Sequence, residues 1–296
     1  MARLCVADPF VISNGELTAR IDPFGAELLS LTDGTGSEYM NDADPAFWSG
    51  HAPLLFPIVG RLNGDVLRVD GREYPMKQHG FARRSRFELV TWGGSVATFR
   101  LEDSAENRAI YPFAFALEMT FALEGASLRM SATVRNPGDV PLPFSFGYHP
   151  AFAWPLPGGG ENLAHEIQFS EDEAQPIRRL NEEGLLTSTE ASPLTGWRLP
   201  LSPSLFEADA LIWDVLASRR LTYRGMNGVA LDIAFPDTPY LGIWQKPGAN
   251  FICIEPWAGH ADPAGFTGEF RDKPGIITLP PGAQRSFRMD VTVRHG

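Results

Sequence analysis

The chain has 296 residues, of which 44% are apolar, and carries a formal net charge of −11. That charge repels phosphate backbones and anionic lipid, so nucleic acid and membranes are disfavoured as partners and a small neutral molecule is favoured. Two cysteines, Cys5 and Cys253, are too few and too far apart for a disulfide framework or a zinc ribbon, and they read as free thiols.

Residues 11–21 read as a hairpin turned at Asn14-Gly15, the strongest short turn signal. The segment before it, from Met1 to Glu16, carries Pro9, Asn14 and charges where a signal peptide needs an unbroken apolar run. No stretch reaches the ~18 apolar residues of a membrane span, so the expected setting is the reducing cytoplasm. A strand over residues 26–31 follows, then a turn cluster at 33–37 and a short helical turn at 42–48.

The block from Gly50 to Asp65, continued by Gln78, His79, Gly80, Phe81, Ala82, Arg83 and Arg84, is apolar yet broken by prolines and glycines. Neither a regular strand nor a helix tolerates that pattern. Such a segment is expected to cross one end of a sheet as a site wall, presenting Arg61 and His79 at its edges. Arg61 also reads as a surface salt-bridge partner, and His51 as a bystander.

Residues 86–92, 97–101, 115–121 and 128–134 alternate polar with apolar, as four antiparallel strands with polar faces do. The turn Asn136-Pro137-Gly138-Asp139 then leads into a stretch with His149 inside an aromatic frame. Phe144, Phe146 and Tyr148 alternate with Ser145 and Gly147, the period of a strand with one buried face, and Pro150 should end the ladder directly after the histidine. A strand end fixes the Cα while the imidazole reaches into a cleft, where it can give and take protons near neutral pH. The same residue also reads as a core histidine bonded to a backbone carbonyl.

From Leu156 to Pro203 the chain reads as loop, with weak strands near 165–169. An apolar run at 208–214 is flanked by Asp209 and Asp214. Strands return at 220–223, 229–235, 240–245 and 251–255, and a last pair at 276–279 and 286–293 closes the chain. The strand ending at Glu255, followed by Pro256, repeats the design of the histidine stretch. Apolar neighbours would raise the Glu255 carboxyl toward neutrality, as a base that must also release its proton requires, although a surface carboxylate fits the position equally. Two such strand ends form an acid/base pair if they converge.

The many short strands, with 29 Gly, 25 Pro and 20 Phe residues, argue for an all-β fold. Length alone allows about two domains, but large sandwiches reach this size as one unit, and with no linker visible a single domain over residues 1–296 is expected.

Taken together, the motifs resemble the galactose mutarotase, or aldose 1-epimerase, family. Gly147-Tyr148-His149-Pro150 with Phe152 is similar to its catalytic histidine strand, and Glu255-Pro256-Trp257 with Gly259 and Asp262 to its catalytic glutamate strand. Gly60-Arg61 with Asn63 resembles the sugar-binding arginine, and His79-Gly80-Phe81 the second histidine. Asp209 is similar in position to a substrate-binding aspartate, with Asp214 a nearby competitor. The resemblance runs from about Asn14 to Val293. It departs where many members carry an aromatic-Asn-Leu run after the histidine and a Gln-x-x-Pro-Asp pattern after the glutamate, and is closer to a shorter bacterial branch.

The resemblance implies a large antiparallel β-sandwich, a supersandwich, that interconverts the α and β anomers of a free aldose. His149 and Glu255 would be the acid/base pair, with Arg61, His79, Asp209 and Trp257 on the sugar, without metal or cofactor, in a monomer or homodimer. One alternative is a hexose 6-phosphate, given the cluster of Arg83, Arg84 and Arg86, although strand alternation would send Arg83 to the face opposite the other two. Another is a non-catalytic sugar-binding module with the same sandwich and aromatic cleft. A metallohydrolase built on His79, His149, His260, Glu255 and Asp262 lacks H-x-x-x-H or H-x-H spacing, and a glycosidase needs two carboxylates where only Glu255 holds a site-like position.

Overall fold

The computed structural model describes residues 9–296, which leaves Cys5 outside the described residues. Its two large sheets are antiparallel throughout. The nine-stranded sheet runs, edge to edge, Arg198–Pro200, Glu166–Phe169, Arg220–Arg224, Ala230–Ala234, Gln284–Arg294, Ser127–Arg135, Ala116–Glu124, Val96–Glu102 and Glu88–Gly93. The eight-stranded sheet runs Leu186–Glu190, Ile177–Leu180, Leu211–Trp213, Tyr240–Trp244, Phe251–Ala258, Phe146–Tyr148 and Leu54–Leu55, with Ala151–Ala153 paired to the start of Phe251–Ala258. A smaller sheet of Phe10–Ser13, Leu17–Asp22 and Glu27–Asp33 carries the expected hairpin at Asn14-Gly15.

Alternation builds the core between the layers. Leu117, Met119, Phe121 and Leu123 point inward from one strand of the larger sheet, beside Leu128, Met130, Ala132 and Val134 from its neighbour. Phe146, Tyr148, Ile252 and Ile254 belong to the same apolar cluster from the smaller sheet, and the Phe146 ring stacks on Phe287 at 4.9 Å. The Tyr148 hydroxyl accepts the Ala132 N–H at 3.1 Å and lies 2.9 Å from the Phe287 carbonyl. That contact ties the residue before His149 to the opposite sheet.

The histidine stretch differs from a strand with one buried face, because every residue from Leu142 to Pro150 is buried. It breaks into the strands Leu142–Phe144, Phe146–Tyr148 and Ala151–Ala153. The face opposite the core is covered too: a methyl on Gly147 would lie 2.6 Å from Trp257 Cδ1 and 3.2 Å from Leu55 and Val59 atoms.

The glutamate strand also differs, in that it does not end at Glu255 but continues through Pro256 to Ala258. Ile254 donates its N–H to the Pro150 carbonyl at 3.2 Å, and two residues on, the nitrogen of Pro256 points to that same side. There the ladder is interrupted, because Ala151–Ala153 pairs with residues 251–253 and Phe146–Tyr148 with 257–258. A proline without an N–H fits in the gap. His149 and Glu255 sit at this break.

Three strands fall where a loop was expected: Ile177–Leu180, Leu186–Glu190 and Arg198–Pro200. They lie at or next to sheet edges and expose polar residues such as Ser188, Thr189 and Glu190, so their sequence lacks a buried stripe. Among the described residues no helix is long and apolar enough to cross a membrane.

Trp257 lies flat between two glycines, Gly147 and Gly242, on the strands flanking its own. A methyl on Gly242 would come within 2.4 Å of Trp257 Cη2. Gly242→Ala is therefore expected to cost about 1–3 kcal/mol by overpacking, seen as a lower midpoint in thermal unfolding. An unchanged midpoint would contradict this packing.

Candidate active site

A cavity of about 320 Å³ opens on the face of the eight-stranded sheet that turns away from the core. This is within the ~300–1,000 Å³ usual for small-molecule sites. The period of two explains its floor: Glu255 and Trp257 share one face of their strand, and Gly147 and His149 share the same face of the next.

His149 and Glu255 meet there. Nε2 of the imidazole lies 3.1 Å from Oε2 of the carboxylate, with both side chains buried. Burial pushes the Glu255 carboxyl well up, and the negative charge of Asp209 adds to this. The Trp257 indole N–H acts the other way, favouring the charged carboxylate without closing a hydrogen bond of normal geometry. Burial pushes His149 down, and Arg83 opposes its protonation further. Each environment thus favours a neutral partner, and the two groups form one coupled unit holding a single proton near neutrality. Such a unit can accept a proton at one end while releasing one at the other.

His79 stands beside them, its ring perpendicular to His149 with centroids 5.6 Å apart. Its Nδ1 accepts the Gly60 N–H at 3.1 Å, and the backbone N–H of His79 donates to the Gly60 carbonyl at 2.8 Å. That clasp assigns the ring proton to Nε2, and burial, aided by His149, Arg83 and Arg84, holds the ring well below the usual histidine range. His79 is therefore a neutral hydrogen-bond donor. Asp209, with φ of 68°, lies at the mouth, and its Oδ1 accepts the Ala210 N–H at 2.8 Å. Asp214 is instead paired with Arg178 at 2.8 Å and does not line the cavity.

Of the six residues expected at the sugar, His149, Glu255, Arg61, His79, Asp209 and Trp257, Arg61 alone does not line the cavity. Its Nε and Nη2 donate to Asp65 at 2.7 and 2.6 Å, its Nη1 donates to the Glu183 carbonyl at 3.2 Å, and its carbonyl accepts the Asp262 N–H at 2.9 Å. Its backbone ties the cavity wall while its fork is occupied at the rim. His51 lies outside the cavity.

Arg83 was not selected as a site residue, yet it lines the cavity. Residues Ala82–Arg84 form a 3₁₀ turn rather than a strand, which turns Arg83 inward while Arg84 and Arg86 line a separate hollow. The guanidinium donates from Nη2 to the Gln78 carbonyl at 3.2 Å, its buried Nε has no partner, and burial lowers its pKa to about 10. Trp48 and Trp244 also line the cavity. The run of arginines points to Arg83 only as part of a possible phosphate site, whereas Trp48 leaves no signal beyond an apolar pair in a turn.

Three possible metal ligands gather here, His149, Cys253 and Glu255, with ligand atoms within 4.8 Å of one another. Burial drives the Cys253 thiol well up and keeps it protonated, a poor state for metal binding. His260 and Asp262 stand apart from that group, beside Lys273, whose Nζ donates to the His260 carbonyl and lies 3.8 Å from Asp262.

A sequence model of the family described as aldose 1-epimerase matches residues 8–278. Protein LacX, plasmid, of Lactococcus lactis subsp. lactis is 33% identical over 293 residues, 95% of this chain and 98% of that protein. A galactose mutarotase related enzyme from Lactobacillus acidophilus superposes with a TM-score of 0.91 at 32% identity, over 97% of each chain. A galactose mutarotase-like protein from Lactobacillus casei does so with a TM-score of 0.89 at 31% identity, over 97% of this chain and 100% of its own.

The burial of Glu255 has a consequence for stability. With its folded pKa raised, the native state holds the proton more tightly than the unfolded chain, so its contribution is complete below the unfolded value of about 4.3 and is lost as pH rises toward the folded value. Glu255→Gln, which keeps the shape and cannot ionise, is expected to unfold at a higher temperature than the wild type at pH 7.5. The two should converge as pH falls to about 4. Calorimetry at both pH values checks this, and a variant less stable at pH 7.5 would contradict it.

Proposed function

Because the chain belongs to the aldose 1-epimerase family, we propose that it is an isomerase interconverting the α and β anomers of a free aldose by ring opening and closure. The observation that carries this reading is the buried contact of 3.1 Å between His149 Nε2 and Glu255 Oε2 on the cavity floor. The shared proton passes across that contact from Glu255 to His149 as the C1 hydroxyl and ring oxygen of the sugar approach the two groups from the cavity. The Glu255 carboxylate takes the proton of the C1 hydroxyl while the His149 imidazolium protonates the ring oxygen, and the bond from C1 to that oxygen breaks to leave the open aldehyde. Rotation about C1–C2 presents the other carbonyl face. The hydroxyl then closes the ring, giving its proton to His149 as Glu255 returns one to the carbonyl oxygen. The pair carries one proton at every stage, so no external acid or base is consumed.

His79 donates from Nε2 to a substrate oxygen, Asp209 accepts from hydroxyls at the mouth, and Trp257 supplies an apolar surface for the sugar's C–H face. Arg61 acts at the rim, where reaching a hydroxyl requires exchanging a contact with Asp65. The continuous apolar cluster from Ile12 to Val293 supports one domain, and the buried thiol of Cys253 suits a reducing cytoplasm.

A second reading, a hexose 6-phosphate as substrate, is favoured by Arg83, a cation in the cavity with an unpartnered Nε. The protein's charge of −11 and the presence of one such arginine rather than several favour the neutral sugar.

Anomer exchange followed by NMR on free hexoses and their 6-phosphates decides between them. Glu255→Gln and His149→Asn should each slow exchange on the order of 10²–10⁴-fold while leaving the fold intact. Near-wild-type rates in either variant would refute its role. Phosphates exchanged about tenfold faster than free sugars would establish the second reading, and no acceleration of any sugar would favour a binding module.

A further inference from the structure

The loop from Asn41 to His51 leaves and rejoins the Ala151–Ala153 strand at a single residue. Asn41 donates its N–H to the Ala151 carbonyl at 2.9 Å, Ala151 donates its own to the His51 carbonyl at 2.8 Å, and the Asn41 amide closes the loop on the Gly50 carbonyl at 2.9 Å. That anchor is two residues beyond His149. Inside the loop, the N–H groups of Phe47 and Trp48 both donate to the Asp44 carbonyl at 3.0 Å, making a tight turn.

The Trp48 indole stacks on the His149 imidazole, with centroids 5.0 Å apart and planes 29° from parallel. Trp244 meets both rings edge-on, 6.0 Å from the indole and 6.2 Å from the imidazole, and Phe251 packs on the indole at 5.6 Å, so the indole is held in place. Gly50 makes the placement possible, since a Cβ there would lie 2.5 Å from Trp48 Cζ2.

His79 and His149 differ in how they are held. The Nδ1 of His79 is fixed by the Gly60 N–H, whereas the imidazole of His149 has only its own backbone close by, and its buried Nδ1 makes no hydrogen bond of normal geometry. An imidazole tied at one nitrogen can still turn about that contact, and the stacked indole removes this freedom. We propose that Trp48 is the positioning residue for His149: its indole face sets the plane of the imidazole, aims Nε2 at Glu255, and stabilises the ring when it is protonated. The proposal rests on the acid/base reading of the pair.

The groups facing His149 make that support necessary. Glu255 favours the imidazolium from one strand, but His79 approaches from the wall segment, Arg83 opposes the charge from the 3₁₀ turn, and the protonated thiol of Cys253 offers no counter-charge. Asp209 acts on Glu255 rather than on the ring. An aromatic face over a desolvated cation is one of the few remaining ways to favour the charged form without adding another titratable group.

The test compares Trp48→Leu, which removes the face, Trp48→Phe, which keeps a smaller one, and Gly50→Ala, which displaces the indole without deleting it. Thermal unfolding shows which of the three are folded. Anomer exchange as a function of pH is then measured on those, and the His149 imidazole resonances are titrated by NMR. In Trp48→Leu, kcat should fall about tenfold with KM nearly unchanged. Both the basic limb of the rate profile and the His149 titration should move to lower pH by about half a unit or more. Trp48→Phe should recover most of both, and Gly50→Ala should behave like the leucine variant; these two carry the test if Trp48→Leu fails to fold.

Unmoved limbs and an unmoved titration would overturn the proposal, as would a loss confined to KM, which belongs to a residue that touches the sugar. If the wild type accelerates no sugar, the acid/base reading fails, and the His149 titration alone then decides the role of Trp48.

Discussion

A carboxyl and an imidazole buried 3.1 Å apart are expensive to hold, because each has lost its water and each alone is driven toward its neutral form. Much of the surrounding structure keeps them in contact. The Pro150 and Pro256 stretches face each other across an interruption in the ladder, where a regular sheet would spend those backbone groups on hydrogen bonds. On the core side, Tyr148 reaches the opposite sheet and fixes the strand that carries the histidine. On the cavity side, Trp257 is seated by two glycines beneath the glutamate.

The division of labour between strands and loops follows from the same constraint. The two proton-transfer groups project from or directly beside strands, whose positions are set by cross-strand pairing on both sides. The groups to which the proposed reading gives recognition come from the irregular wall: His79 precedes a 3₁₀ turn that contains Arg83, and Asp209, with a left-handed φ of 68°, precedes a short strand. On the proposed reading, chemistry that needs fixed geometry sits on the rigid sheet, and the residues that would choose the sugar sit on segments that can vary without disturbing it.

Much of this was legible in the sequence, for identifiable reasons. The four alternating strands between residues 86 and 134 and the hairpin at Asn14-Gly15 announce themselves through period and turn chemistry, as do the proline-marked stretches holding His149 and Glu255. What stayed hidden depends on pairings that no local pattern encodes. Pro256 reads as a strand end because nothing local shows that its missing N–H falls in a ladder gap. The polar edge strands between 177 and 200 bury too little to show a stripe. Arg83 faces the cavity because residues 82–84 turn rather than extend, and Trp48 reaches His149 through a loop anchored more than a hundred residues away in sequence.

The central claim is that His149 and Glu255 work as a unit carrying one proton, neither two nor none. The pH dependence of kcat/KM for anomer exchange by the wild-type protein reports this most directly. A bell with a plateau across neutrality is expected, falling on the acid side as a second proton binds the pair and on the alkaline side as the single proton leaves. A rate that rises through one ionisation and then stays level to high pH would show that only a base is needed, and would contradict the pair.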